Sequence, residues 1–138
     1  MDAFDADVVI YAAAPGHYLG EAVRRLFPDD PTNGEAAFAG VGSVLLLPEV
    51  LAKPTANGAS DEVAALTALL ARLDLRPVDE TIAALAVDLG AAYRLRAADA
   101  VHLATAVVAG ADRFVTNNRR DFSLSMEEIA VTYPADLA

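Results

Sequence analysis

Short apolar runs alternate with longer amphipathic ones along the whole chain, and that alternation constrains the fold more than any other feature. Asp5 to Ala12 reads as a short buried strand running into a helical turn, broken at Pro15 and Gly16. Residues 16 to 27 carry Tyr18, Leu19, Ala22, Val23, Leu26 and Phe27 at helical spacing, and the polar stretch 28 to 35 reads as a loop. A strand is predicted from Phe38 to Leu45, then a helix with Pro48 in its first turn that carries Glu49 and stops at Pro54. Ser60 is placed as the cap of a helix reaching about Leu73, with Asp61 and Glu62 in its first turn. Leu75 to Val78 is a short strand, and Asp79 caps a helix presenting Ile82, Leu85, Ala86 and Leu89 on one face. Beyond Leu95 a further helix ends near Gly110, followed by a strand Arg113 to Thr116, a loop 117 to 122 and an edge strand Ile129 to Thr132. The order β-α-(α)-β-α-α-β-α-α-β-β predicts an α/β fold with a mostly parallel central sheet of about four to five strands and helices on both faces.

Parallel sheets place ligands beyond the carboxyl ends of their strands, so acids that sit beside apolar runs in those places need an account. Asp5 lies at or near the first strand, Glu49 in the helix after the second, Asp99 early in a late helix, and Asn118 and Asp121 in the loop after the next strand. Taken singly, Asp5 reads as a strand end facing water and Asp7 as a helix cap; recurrence in equivalent settings points to a shared site. Carboxylate oxygens are hard ligands suited to Mg²⁺ or Mn²⁺, and without a cation such a cluster repels itself and raises at least one pKa. Thr116, at a strand end, is placed to orient an acid or a water. His102 follows Asp99 by one helical turn and reads as a structural histidine beside the site.

Composition narrows the classes. The 138 residues fit one domain, 1–138, and 55% of them are hydrophobic, ample for one core. A net charge of −10 is the reverse of the usual nucleic-acid footprint, so an RNA partner requires a metal or a local basic patch, for which Arg119 and Arg120 are the candidates. The chain has no cysteine, which excludes disulfides, thiolate metal sites and thiol nucleophiles. Its N-terminus lacks the basic-then-apolar order of a signal peptide, and none of its apolar runs approaches the roughly 20 residues needed to span a bilayer, so a cytoplasmic protein with no membrane span is expected.

Four segments carry a family resemblance: FDADVVIY (4–11), SVLLLPEVL (43–51), DAVHLATA (99–106) and ADRFVTNNRRDF (111–122). In order and spacing they resemble the PIN domain, specifically the VapC-type toxins of toxin–antitoxin pairs, across essentially the whole chain. The resemblance implies a PIN-like three-layer fold and a Mg²⁺- or Mn²⁺-dependent endoribonuclease acting on RNA, with a small cognate antitoxin and a homodimer as partners. It maps Asp5, Glu49 and Asp99 onto the family's metal-binding acids and Asp7 onto its usual Asn. The fourth acid is displaced: Asn118 stands at the usual position and an extra arginine precedes Asp121, leaving either as the fourth ligand and Asp121 as a candidate catalytic acid. Two other readings compete. A degenerate PIN domain would act as a non-catalytic binding partner. A DxD aspartyl-phosphate phosphatase would use Asp5 as nucleophile and Asp7 as general acid, but MDAF is a weak strand and Lys53, the sole lysine, is poorly placed beside Pro54.

Overall fold

The computed structural model describes residues 1–27 and 38–137, so the loop expected at 28 to 35 lies outside the described residues. Strands β1 (Asp2–Phe4), β2 (Gly40–Ser43), β3 (Leu73–Arg76), β4 (Arg113–Val115) and β5 (Ala130–Thr132) form one five-stranded sheet. Its order is β3-β2-β1-β4-β5 and each neighbouring pair is parallel. The helices are α1 (Ala6–Ala13), α2 (Gly20–Arg24), α3 (Leu46–Ala56), α4 (Ser60–Leu70), α5 (Glu80–Tyr93) and α6 (Ala97–Val108).

Successive strand residues point to opposite faces, and two cores result. Ala3 of β1 and Phe114 of β4 join the core built with α5 and α6. Their neighbours Phe4 and Val115 join a second core with α1, α2, α3 and α4 on the other face. Burying a side chain such as Phe4 contributes about 1.5–3 kcal/mol, so a one-residue slip of β1 would exchange the two cores and is strongly disfavoured. Asp2 lies opposite Arg113, and Arg113 Nε donates to Asp2 Oδ1 at 2.7 Å, pinning β1 to β4 in this register.

The alternation of elements is as expected, and several boundaries are not. The run Val8-Val9-Ile10, read as strand, is helix: β1 ends at Phe4, Asp5 is the N-cap, and Val8, Val9 and Ala12 are buried on one face of α1. Capping and burial outweigh the strand preference of β-branched residues here. Ordered helix in the segment 16 to 27 is confined to Gly20–Arg24, because the chain first turns at Gly16 with φ +71°. Pro54 does not stop α3, which continues to Ala56; a proline near the last turn removes only its own backbone donor. Ser60 is the first residue of α4 rather than its cap, the helix ends at Leu70, and β3 begins at Leu73, two residues before its expected start. Asp79 does cap α5, accepting from the Ile82 N–H at 2.9 Å, and Gly110 follows α6 with φ +71°. Among the described residues no helix is long and apolar enough to cross a membrane.

Candidate active site

The centre of the site follows from strand register. Phe4 lies opposite Val115, so the next residues, Asp5 and Thr116, leave the sheet side by side. The Asp5 N–H donates to the Val115 carbonyl at 3.0 Å, and the Thr116 hydroxyl donates to Asp5 Oδ2 at 2.7 Å. The chain steps outward from β1 to β2 and β3, then crosses back to β4, so the crevice between β1 and β4 is the topological switch point where open α/β sheets bind ligands.

Other acids arrive from separate elements. Asp5 itself is only 5% exposed, and its Oδ1 accepts from the Ala6 N–H at 2.8 Å. Burial pushes its carboxyl above the usual range, against the opposing pull of Thr116 and His102. Asp7, in the first turn of α1, is pushed up to about 7, by burial first and by the charge of Asp5 second. Its Oδ2 accepts from the Asn117 N–H at 3.0 Å, tying α1 to the loop after β4. Asp99, in the first turn of α6, is raised by burial, then by Asp5 and Asp121, with a smaller push from Glu49. Glu49, in the first turn of α3, reaches across so that its Oε1 lies 2.8 Å from His102 Nε2. The acids expected from sequence therefore share one electrostatic field.

The loop after β4 resolves how Asn118 and Asp121 stand to each other. Asn118 Nδ2 donates to Asp121 Oδ2 at 2.9 Å, Asn118 Oδ1 accepts from the Asp121 N–H at 3.3 Å, and the Asn118 N–H donates to Thr116 Oγ1 at 3.1 Å. The extra arginine is thus accommodated by a closed turn that turns the Asp121 carboxylate back toward the site, where Asp99 senses its charge. Arg119 and Arg120 are exposed on this turn, and the Arg119 guanidinium lies 4.4 Å over the Tyr133 ring.

His102 is buried, as a structural histidine should be, but it is also bonded to a candidate ligand. Burial disfavours its cationic form; the Glu49 hydrogen bond and the charges of Asp5, Glu49 and Asp99 outweigh that, and its pKa rises. Sequence reading missed Asn117, whose hold on Asp7 is through a backbone N–H and so leaves no signature in residue type. Among the described residues no three His, Cys, Asp or Glu side chains close into a ligand cage. The donor chemistry nonetheless fits a hard divalent cation. Mg²⁺ keeps several waters and needs only one or two direct carboxylates, and a dication would offset the burial, and the smaller mutual repulsion, that raise Asp5, Asp7 and Asp99. An apolar cleft of about 310 Å³ between α1 and α4, lined by Ile10 and Leu66, does not include these acids.

A PIN-domain family model matches residues 3–124, a span that contains Asp5, Asp7, Glu49, Asp99 and Asp121. The chain belongs to the PIN-domain family. Among solved structures, a toxin–antitoxin complex from Klebsiella pneumoniae contains a chain of the same fold, with a TM-score of 0.72 and 21% identity over 97% of this chain and 98% of that one. No curated protein matches. PIN domains are generally nucleases and typically use divalent metal ions. In this PIN domain Lys53 is an exposed residue of α3, which leaves the phosphatase alternative without its lysine.

Proposed function

We propose that this PIN domain is a Mg²⁺- or Mn²⁺-dependent endoribonuclease and the toxin of a toxin–antitoxin pair. The observation that carries the reading is the Asp5–Thr116 hydrogen bond at the switch point, with Asp7, Glu49, Asp99 and Asp121 converging on it from other segments. Asp5, Glu49 and Asp99 would hold the ion and Asp121 would serve as the fourth acid, its carboxylate oriented by Asn118. When bound, the ion supplies charge for the phosphoryl oxygens and acidifies a water for attack on phosphorus. Thr116 fixes the rotamer of Asp5, and His102 fixes Glu49. Arg119 and Arg120 stand on the adjoining turn, where a phosphate backbone approaching the neutralised site would meet them; their replacement by Ala is expected to weaken RNA binding and flatten its salt dependence.

The toxin role rests on the sequence resemblance and on the toxin–antitoxin complex of like fold. It implies a small antitoxin whose basic segment would meet the acidic site, and a homodimer. The test is cleavage of a labelled total-RNA pool by the purified chain with Mn²⁺, with Mg²⁺ and with EDTA, using Asp5→Asn as control. Metal-dependent cuts missing from the control are expected. A folded, metal-binding chain that cuts no RNA would instead favour the degenerate, non-catalytic domain.

A further inference from the structure

Three aromatic rings stack outward from the acidic site. Tyr11, on α1 one turn beyond Asp7, has its ring centroid 4.3 Å from that of His17 with 10° between the planes. His17 in turn stacks on Tyr18, at 5.3 Å and 13°. Tyr18 ends the stack and is 83% exposed, an unusual position for a large aromatic that takes no part in either core. At the inner end, Asn117 Nδ2 donates to the Tyr11 hydroxyl at 3.4 Å while the Asn117 N–H holds Asp7, so the stack and the acids share a residue.

The arrangement is built rather than incidental. His17 Nδ1 accepts from the Leu19 and Gly20 N–H groups at 3.1 and 3.2 Å, which fixes the ring plane and leaves the ring proton on Nε2. Gly20 lies so close to α1 that a Cβ there would sit 1.9 Å from the Tyr11 carbonyl oxygen, so the turn is clamped against the helix carrying the first ring. Arg24 Nε donates to the Ala12 carbonyl at 3.0 Å, closing the end of α1 and bringing a cation to the same turn. A preorganised ring costs little further entropy when a planar ligand lands on it.

We propose that Tyr11, His17 and Tyr18 form a stacking platform for single-stranded RNA, with one unpaired base lying on the exposed face of Tyr18. This rests on the nuclease reading above and adds to it a place outside the acidic site where an unpaired base is held. Every base has a π-face, so the platform favours unpaired RNA without selecting a sequence, and it supplies non-ionic affinity that a chain of net charge −10 otherwise lacks.

The test is steady-state cleavage of a labelled, unstructured RNA oligonucleotide in Mn²⁺ by the full chain carrying Tyr18→Ala, Tyr18→Phe or Tyr18→Trp. Tyr18 is surface-exposed, so each variant should fold. Tyr18→Ala is expected to raise KM about 5- to 100-fold, the range for losing one base–ring stack, with kcat little changed; Phe and Trp, which keep a ring, should stay near the parent. The same oligonucleotide annealed to its complement should show a smaller Tyr18→Ala effect. Parental KM in Tyr18→Ala, or a Phe variant as weak as Ala, overturns the platform while leaving the nuclease reading intact. So does a Tyr18→Ala chain that changes only its oligomeric mass, which would place the ring in a protein interface. A parent chain that cuts no RNA in either metal removes both readings.

Discussion

His102 Nε2 lies 2.8 Å from Glu49 Oε1, joining α6 to α3 by a bond between a buried ring and a side chain 34% exposed. Two elements that approach from opposite faces of the sheet are thereby coupled at the site. A carboxylate that serves as a ligand is more effective when its free rotamers are removed, and loss of such a supporting bond typically costs about 10- to 100-fold in metal affinity or activity. His102→Ala is therefore expected to weaken Mn²⁺ binding by that amount in titration calorimetry, with the circular dichroism spectrum retained. Unchanged affinity in the folded variant would assign His102 to packing alone.

Asp5→Asn and Asp99→Asn each replace a negative oxygen by a shape-matched amide. Either is expected to lower RNA cleavage by about a hundredfold or more, equivalent to roughly 3 kcal/mol of transition-state stabilisation. Fold should survive, because burial already holds both carboxyls above their ordinary pKa and the neutral amide is no harder to bury. Rates at saturating Mn²⁺ alongside thermal melts separate the two effects. Full activity in either folded variant would remove these acids from the site.

The order of strands and helices was legible because buried parallel strands are short apolar runs and their crossover helices carry a stripe of apolar residues. The acids were legible because each stands at the junction of such runs. What misled was Val8-Val9-Ile10, where β-branching argues for strand while the decisive signal is Asp5, a residue that caps α1 with one carboxylate oxygen and accepts from Thr116 with the other. The family pattern could locate the displacement at Asn118 but not its outcome, since the closed Asn118–Asp121 turn depends on backbone geometry across the inserted arginine. The Tyr11–His17–Tyr18 stack was illegible for a related reason: Gly16 reverses the chain at φ +71°, and only then does His17, six positions after Tyr11, come to lie against its ring, with Tyr18 stacked on His17 in turn.

The same closed turn predicts an asymmetry between its two members. Asp121→Asn should lower cleavage about 10- to 100-fold, because Asp99 senses the Asp121 charge directly. Asn118→Ala should cost less, since it loosens the acid without removing it. Asn118→Asp restores the family's usual acid but sets two carboxylates at the 2.9 Å spacing now bridged by a hydrogen bond, so it should need more metal to reach full rate. Initial rates against Mn²⁺ concentration check all three. An inactive Asn118→Ala beside a fully active Asp121→Asn would make Asn118 the fourth donor.

Asp7 makes the metal-free protein sensitive to pH. Its carboxyl is held up to about 7 from an ordinary 3.8, so between those values the folded chain keeps a proton that the unfolded chain has released. Stability from this group is complete below the unfolded value and is lost as pH rises through the folded one. The ceiling on the loss is about 4 kcal/mol at 1.36 kcal/mol per pKa unit, and the Asn117 and Val8 N–H groups, which favour the anion, already act within that shift. Denaturant melts in EDTA should show wild-type stability falling between pH 4 and 7. Asp7→Asn, which cannot ionise, should lose on the order of 1–3 kcal/mol less over that span, and the remaining decline belongs to Asp5 and Asp99, whose carboxyls burial also raises. A divalent cation should flatten the wild-type curve in the same direction, because it replaces the proton as the partner of the buried charge. Parallel pH profiles for wild type and Asp7→Asn would show instead that Asp7 is already ionised at no cost, and that the repulsion among these acids is relieved before any metal arrives.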